Sequence, residues 1–442
     1  MDHRFILYRV YMKRFVELFK HLMLYARAMA KWGLVSVVVG LLCGLLGSAF
    51  HFGVSRANLI RETHDWVIFL LPVAGLLAVG LYRLFHTEGQ GTNNILQEIQ
   101  NGKGVSLSLI PAIFLTTVLT HLAGGSAGRE GAALQMGGGI GYNTGKLLKL
   151  DDRDLRTATM TGMAAFFSAL FGTPLGAAVF SLEVISVGLI YHAAFIPCFI
   201  ASLTAYGVAS FLKISPERFA VAVPDLDLLM LIRVAILSIL GGTISALFCG
   251  VLHLTEHTVD KLLKNLWVRA FVGGAVILVL TLLLGRDYNG AGMAVIKRAI
   301  EDGQAVPTAF LWKMVFTAVT LAVGFKGGEV VPSFFVGATF GCVAGPLLGL
   351  PAGFSAAIGL ITVFCGAVNC PLASIFLAIE LFGADGMLYY ALGCGLSYVF
   401  SGYSGLYSSQ RILYDKLKAQ FIDVRTNAHH EGEITEAKQQ HA

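Results

Sequence analysis

The sequence has little charge for its length. Of its 442 residues only 13% are Asp, Glu, Lys or Arg, while 56% are hydrophobic. Soluble globular proteins carry about 25% charged residues, so this composition excludes an ordinary soluble protein. The formal net charge of +5 is small, and no basic patch interleaved with aromatic residues indicates a nucleic-acid partner. The chain is therefore predicted to be a polytopic membrane protein.

Motifs for catalysis, metals and cofactors are absent as well. The sequence has no P-loop, no metal-ligand cluster and no nucleophilic triad, so we expect neither an enzyme nor a bound cofactor. Its seven cysteines lie in apolar surroundings without a CxxC pair, which is typical of small buried hydrophobic residues. Partners are therefore sought among small solutes and other membrane chains.

A signal peptide is also missing, because basic residues interrupt any apolar core near the N-terminus: Arg4, Arg9, Lys13, Arg14 and Lys20. Residues 1–31 are instead predicted to form a basic amphipathic helix on the cytoplasmic leaflet. Residues 424–442 are polar and are expected to form a disordered cytoplasmic tail. Both termini are thus predicted on the cytoplasmic side of a bacterial-type inner membrane.

Long apolar runs are abundant. The clearest are Trp32 to Phe52, Trp66 to Leu81, Val234 to Leu252 and Phe271 to Leu284, and about ten or more membrane segments are expected in all. Many of the 51 glycines lie in such runs. Glycine allows helices to pack closely and to break where they line a cavity. The composition therefore predicts an all-α polytopic membrane protein.

Two parts of the sequence resemble each other. "TPLGAAVFSLE" runs from Thr173 to Glu183, and "CPLASIFLAIE" runs from Cys370 to Glu380, 197 residues later. A Gly-x-Glu element precedes each of them, and its glutamates, Glu130 and Glu329, are 199 residues apart. Repeats with glycine-interrupted segments indicate a transporter whose substrate lies near the bilayer midplane. The predicted division is a first membrane repeat over 32–215, a linker over 216–227 and a second membrane repeat over 228–423.

A charged pair, Arg129 and Glu130, lies in the glycine-rich stretch "GGSAGREGAAL". An ionised side chain at membrane depth costs about 2.5–3.5 kcal/mol even on the lenient insertion scale, so it is normally shielded and functional. The glycines predict a loop that leads into a helix beginning near Glu130, and a helix N-terminus attracts anions. A carboxylate there would occupy the site in place of a transported anion until it is protonated. The alternative is that the two residues form a packing pair.

Three motifs together resemble the CLC anion channels and transporters: "GREGA" at 128–132, "GGEVVPSFF" at 327–335 and "GLYSSQ" at 405–410. The resemblance covers nearly the whole chain. It implies the CLC-type fold of two inverted repeats with broken, tilted helices, and a homodimer with one anion path in each subunit. It also implies that Glu130 is the external gating glutamate, which couples anion to proton movement, and that the Tyr407 hydroxyl faces the anion.

The first conserved segment departs from that of the chloride-handling CLC proteins. Those proteins carry Gly-Ser-Gly-Ile-Pro, whereas "GQGTNNILQEI" stands at 89–99. This asparagine-containing segment is similar to the fluoride-exporting branch of the family, and so is Glu329 followed by Val330. Val184 stands where many proton-coupled members have a second, internal glutamate. By resemblance, Glu329 is its substitute as the second proton-coupling carboxylate.

The candidate anion-binding residues follow from this resemblance and from the chemistry of fluoride. Fluoride is small and strongly hydrated, so its desolvation requires many hydrogen-bond donors or positive aromatic edges. The ring edges of Phe334 and Phe335 are one possible source, with core packing as their alternative role. For the asparagines, the alternative is a helix cap or a turn. The candidates are Thr92, Asn93, Asn94, Gly128, Arg129, Gly131, Val330, Val331 and Tyr407.

Other polar residues in apolar segments are expected to be mainly structural. Glu183 and Glu380 stand at equivalent positions of the two repeats, near helix ends, and His121 is expected to be a satisfied histidine at a helix interface. Lys326 either has a structural partner or lines the inner vestibule.

The predicted function is that of a fluoride/proton antiporter, which exports fluoride from the cytoplasm in exchange for protons. A chloride-selective CLC transporter or channel is the first alternative, and chloride flux far above fluoride flux would favour it. A non-transporting membrane scaffold or receptor is the second alternative. The absence of any anion flux would favour that one.

Overall fold

The structure, a computed structural model, describes residues 3–418 and 420–427, with side chains from residue 12 onward except those of residues 13 and 16. Sixteen α-helices in this part form two successive sets of eight. The first set is α1 (His3–Thr63), α2 (Leu71–Leu84), α3 (Thr92–Asn101), α4 (Leu109–Ala123), α5 (Glu130–Leu147), α6 (Asp152–Phe171), α7 (Pro174–Glu183) and α8 (Phe195–Phe211). The second set is α9 (Leu228–Leu262), α10 (Leu266–Leu284), α11 (Met293–Glu301), α12 (Ala309–Ala322), α13 (Val330–Leu347), α14 (Ala352–Val368), α15 (Pro371–Phe382) and α16 (Met387–Phe400).

The two sets are inverted repeats of one another. An antiparallel bridge joins Gly128 to Gly328, just before the equivalent helices α5 and α13. Both α7 and α15 begin with proline, as the 197-residue spacing predicts. The two Gly-x-Glu glutamates, 199 residues apart, do not occupy equivalent positions, because α5 begins at Glu130 and α13 begins at Val330. Glu329 therefore corresponds to Arg129, and Val330 corresponds to Glu130.

The helices are uneven in length, as expected of a broken-helix fold. Six helical segments of the described chain are long and apolar enough to cross a membrane, and five shorter apolar helices accompany them. The loop between α12 and α13 lines a polar cavity, where irregular backbone is tolerated. From residue 3, where the described chain begins, the predicted amphipathic segment continues without a break into the first apolar run within α1. The predicted linker, 216–227, lies between α8 and α9.

Each repeat supplies a carboxylate to the other. Both oxygens of Glu183, at the end of α7, accept backbone N–H groups of Leu372 and Ala373 at the start of α15. Both oxygens of Glu380 on α15 accept N–H groups of Leu175 and Gly176 at the start of α7. Free N–H groups and the helix dipole stabilise a negative charge at these helix ends. These two glutamates therefore join the repeats, in line with their expected structural role.

A small sheet follows the last helix. Strand β1 (Ser186–Val187) pairs in parallel with β2 (Arg411–Tyr414), and β2 pairs antiparallel with β3 (Phe421–Arg425). This sheet was not predicted from the sequence, because β1 is only two residues long and its partner strand is distant in the chain. The boundary predicted at residue 424 falls inside β3, so the tail does not begin there. The remainder of the predicted tail, 428–442, lies outside the described residues.

Candidate anion-binding site

The N-termini of α5 and α13 meet at the centre of the protein. Gly128 N–H donates to the carbonyl oxygen of Gly328, and Gly328 N–H donates to the carbonyl oxygen of Gly128, both at 2.8 Å. This two-way bridge holds the starts of the two helices together. The free N–H groups of two helices therefore point into one small region, which favours an anion.

The carboxylate of Glu130 occupies this region. Its Oε1 accepts the N–H of Arg129 at 3.0 Å, and its Oε2 accepts the N–H of Val331 at 3.2 Å. The side chain is completely buried. A Cβ atom at Gly128 would lie 2.1 Å from Oε2, and one at Gly328 would lie 2.6 Å from it, so only glycine at both positions leaves room for the carboxylate. The carboxylate stands where a bound anion would stand.

The Arg129 guanidinium does not pair with Glu130. It contacts Nδ1 of His51 at 2.9 Å, donates to the carbonyl oxygen of Leu170 and forms an ion pair with Glu217 at 3.0 Å. It also lies over the ring of Phe171. The alternative of an Arg129–Glu130 packing pair is therefore wrong. The Arg129 side chain anchors the start of α5 to α1, α6 and the linker. Its backbone N–H donates to the Glu130 carboxylate, where the two helix N-termini meet.

A polar cavity of about 330 Å³ adjoins this region, and we call it the central cavity. Thr92 lies between the cavity and the meeting point of the helices. Its Oγ1 would be 3.5 Å from a Cβ atom added at Gly131, near the start of α5. Five predicted site residues line the cavity: Thr92, Asn93, Asn94, Glu329 and Tyr407. The remaining predicted residues, Gly128, Arg129, Glu130, Gly131, Val330 and Val331, surround the meeting point of α5 and α13. The predicted site therefore has two adjacent parts.

The hydroxyl and amide groups that line the central cavity differ in the number of hydrogen bonds they already form within the protein. The Tyr407 hydroxyl is buried and has no hydrogen-bond partner among the described residues. The Thr92 hydroxyl accepts a bond from Gln135 at 3.2 Å, which leaves its own hydrogen available. Asn93 donates one amide hydrogen to Ser408 Oγ at 3.1 Å and accepts the N–H of Ser409 at 3.0 Å. Its second amide hydrogen remains available.

Two of the predicted anion-binding residues, Asn94 and Gly128, have a polar group that already forms a hydrogen bond within the protein. The side-chain oxygen of Asn94 accepts the N–H of Gly91 at 2.8 Å, so Asn94 caps the start of α3, the alternative role considered for it. The N–H of Gly128 donates to Gly328 and cannot also donate to an anion. Gly128 leaves space for the Glu130 carboxylate, because a Cβ atom there would lie 2.1 Å from Oε2.

Glu329 is arranged differently from Glu130. It precedes α13 by one residue, at the N-cap position, and lines the central cavity. Its Oε2 is buried without a hydrogen-bond partner among the described residues. Lys326 lines the same cavity and stacks on the ring of Tyr82 at 4.5 Å, so it belongs to the vestibule and has an aromatic contact as well. Two carboxylates with different surroundings thus lie along one path.

Several expectations fall outside the site. Phe334 packs edge to face on Phe171 and Phe364, which is core packing. Phe335 lies 5.1 Å from the Lys313 ammonium and also packs in the core. His121 Nε2 is 3.4 Å from the carbonyl oxygen of Gly128, whereas its Nδ1 has no partner in the described part.

Sequence analysis missed Gln135, His253 and Glu256, which line the central cavity, and the fully buried Lys313. The Lys313 ammonium donates to the carbonyl oxygens of Tyr288 and Gly290 at 3.0 and 2.7 Å. A signal existed for Lys313, because it is the lone charge in an apolar helix, which is unusual in a membrane protein.

Comparison with known proteins agrees with this architecture. The profile of the family described as "Voltage gated chloride channel" matches residues 74–402. A "Chloride/fluoride channel protein" of Pseudomonas syringae pv. tomato is 39% identical over 400 residues, which cover 88% of each chain. An "H(+)/Cl(-) exchange transporter ClcA" of Yersinia pestis is 28% identical over 415 residues, covering 85% of this chain and 86% of that protein.

Among solved structures, the crystal structure of a CLC-type fluoride/proton antiporter superposes with a TM-score of 0.84 at 32% identity. The match covers 86% of this chain and 98% of that one. The broken inverted repeats, the meeting helix N-termini and these similarities lead to one conclusion. The chain belongs to the CLC family of anion channels and transporters, integral membrane proteins with many helices, and is most like the fluoride/proton antiporter branch.

Proposed function

We propose that the protein is a fluoride/proton antiporter that exports fluoride from the cytoplasm in exchange for protons, without catalysing a chemical reaction. One observation carries the proposal: the carboxylate of Glu130 accepts N–H groups from the starts of both α5 and α13. A negatively charged side chain thereby fills an anion site that belongs to the backbone. Any transported anion has to displace it.

Protonation provides the displacement. Hydrogen bonds to a carboxylate are roughly twice as strong as those to a neutral acceptor, so a protonated Glu130 is held less tightly. The neutral side chain moves away, and an anion takes the N–H groups that it releases. When the anion leaves, the carboxylate loses its proton and returns. Anion and proton therefore occupy the pathway alternately, which couples their movement in opposite directions.

Fluoride is the favoured substrate because the central cavity is rich in compact hydrogen-bond donors. Thr92, Asn93 and Tyr407 supply hydroxyl and amide hydrogens, and a small, strongly hydrated anion needs such groups to replace its water. The relatives named for fluoride support this reading. Chloride transport remains the second candidate, because a relative named as a proton/chloride exchanger also aligns over most of the chain.

The remaining parts of the proposal follow from family membership. We place the protein in a bacterial-type inner membrane with both termini in the cytoplasm, and as a homodimer in which each subunit has its own ion path. Glu130 is the gating glutamate on the outer side. Glu329, buried in the wall of the central cavity, is the second proton-coupling carboxylate.

The coupling role of the two glutamates is tested in proteoliposomes loaded with fluoride. Glu130→Gln and Glu329→Gln each remove a titratable carboxylate and are expected to lower proton uptake at least about ten-fold. Glu17→Gln is the control, because Glu17 is exposed on α1 and does not line the central cavity. Parental rates of proton uptake in both Glu130→Gln and Glu329→Gln would overturn the mechanism.

A further inference from the structure

The central cavity continues in two directions. Towards the small sheet it shares Asn93, His253 and Ser408 with a groove of about 900 Å³. On another side it shares Lys326 and Glu256 with a cavity of about 180 Å³ between α2, α9 and α10, which we call the side cavity. The groove is lined mainly by amide, hydroxyl and imidazole groups, and Arg425 and Asp423 also line it, but the Asp423 carboxylate is paired with Arg411. The residues shared with the side cavity include the cation of Lys326 and the carboxylate of Glu256.

The continuation towards the side cavity brings two carboxylates together, Glu329 and Glu256. Glu329 lines the central cavity, with Oε2 buried and without a partner in the described part of the chain. Glu256 on α9 is exposed and lines both the central cavity and the side cavity. The Lys326 ammonium interacts electrostatically with both carboxylates. The other titratable groups that line the two cavities are His253, Tyr407, Tyr82, Glu88 and Arg269.

No alternative carboxylate is available where α7 ends. Both oxygens of Glu183 accept N–H groups at the start of α15, so this residue is committed to joining the repeats. The next residue, Val184, is buried and cannot hold a proton. A proton that reaches Glu329 therefore needs another acceptor on its way to solution. A polar cavity of about 330 Å³ has room for several water molecules that could carry it.

We propose that Glu256 is the proton-relay carboxylate at the inner end of the pathway and that it exchanges protons with Glu329 through the central cavity. In the inward direction, the Glu329 carboxylic acid gives its proton through cavity water to the Glu256 carboxylate. Glu256 then releases the proton to solution, and both groups return to their ionised forms. Lys326 stabilises the carboxylate forms between transfers. The anion uses the other branch, past Asn93 and Ser408. This inference rests on the proposed proton-coupled function.

The test compares four proteins in fluoride-loaded proteoliposomes: parental, Glu256→Gln, Glu256→Asp and Glu17→Gln. Glu17 is an exposed glutamate on α1 that lines neither cavity, so its substitution removes the same charge elsewhere. Proton uptake is expected to fall at least about five-fold in Glu256→Gln, an effect of the size produced by a slowed transfer step. It should recover at least half of the parental rate in Glu256→Asp and stay unchanged in Glu17→Gln. Fluoride binding to purified Glu256→Gln, measured by calorimetry, should remain at the parental affinity.

Two results would overturn the relay while leaving the proposed function intact. One is proton uptake in Glu256→Gln within two-fold of the parental rate. The other is a loss that Glu256→Asp does not restore, because Asp keeps an ionisable carboxylate and such a loss would come from the packing of the Glu256 side chain. If the parental protein itself moves fluoride without protons, the proposed function fails and the relay fails with it. The parental control thus separates the two failures.

Discussion

At the scale of single residues, two glutamates that look equivalent in sequence have different places. Glu130 follows Gly128 and Arg129, Glu329 follows Gly327 and Gly328, and both lie at the start of a helix. Glu130 is the first residue of α5 and its carboxylate binds N–H groups, whereas Glu329 is the cap before α13 and lines the cavity. One position of difference along a helix start rotates the side chain to another side. The two carboxylates can therefore have separate tasks.

Asn93 provides a residue-scale prediction about fluoride. Its amide is held by Ser408 and Ser409, and one amide hydrogen remains for an anion in the cavity. A hydrogen bond to a charged group contributes about 1.5–3 kcal/mol, so Asn93→Ala should weaken fluoride binding about ten-fold or more. Calorimetry on the purified protein measures the binding, and flux ratios measure the accompanying shift towards chloride.

The control for this substitution is Asn101→Ala, at the exposed end of α3. It should leave fluoride binding and the flux ratio unchanged. Equal affinities in Asn93→Ala and the parental protein would show that the amide does not bind the transported anion.

Among the helices, glycine allows the backbones of neighbouring helices to come into close contact. A Cβ atom at Gly141 on α5 would lie 2.0 Å from the carbonyl oxygen of Ala158 on α6. In the second repeat, a Cβ atom at Gly341 on α13 would lie 2.1 Å from the carbonyl oxygen of Ser355 on α14. The same close contact therefore recurs in both repeats and fixes the position of α5 and α13, whose N-termini form the anion region.

Gly141→Ala should consequently destabilise the protein. Forcing one methyl group into this contact costs about 1–3 kcal/mol, since the backbone of α6 has to move. The matched control is Gly33→Ala on α1, where a Cβ atom meets nothing within 4 Å and alanine favours the helix. The midpoint of thermal unfolding in detergent should fall for Gly141→Ala and should not fall for Gly33→Ala. Equal midpoints for Gly141→Ala and the parental protein would contradict the packing argument.

The sequence predicted several elements correctly and missed others for identifiable reasons. The glycine-rich stretch before Glu130 predicted a helix start there, because glycines and a charged pair interrupt an apolar run, and α5 begins at that residue. The register of the second Gly-x-Glu element was wrong by one, since the start of α13 depends on the bridge between Gly128 and Gly328, which are far apart in the chain. Local pattern does not contain that information.

At the scale of the whole molecule, the inverted repeats create the path. Asn93 meets Ser408, which is 315 positions away, and the walls of the central cavity come from both repeats. The motif resemblance predicted residues that line the central cavity or surround the meeting point of α5 and α13. It could not predict Gln135 or Glu256, because these polar residues become neighbours of the site only when distant helices pack. The family and its fold were predictable, whereas the shape of the cavity was not.

The central claim is coupled exchange of fluoride for protons. The most direct measurement loads liposomes containing the purified protein with fluoride or with chloride, and records anion efflux and proton uptake in the same sample. We expect fluoride efflux with simultaneous proton uptake, and little chloride movement. Chloride efflux as fast as fluoride efflux, or fluoride efflux without proton uptake, would contradict it.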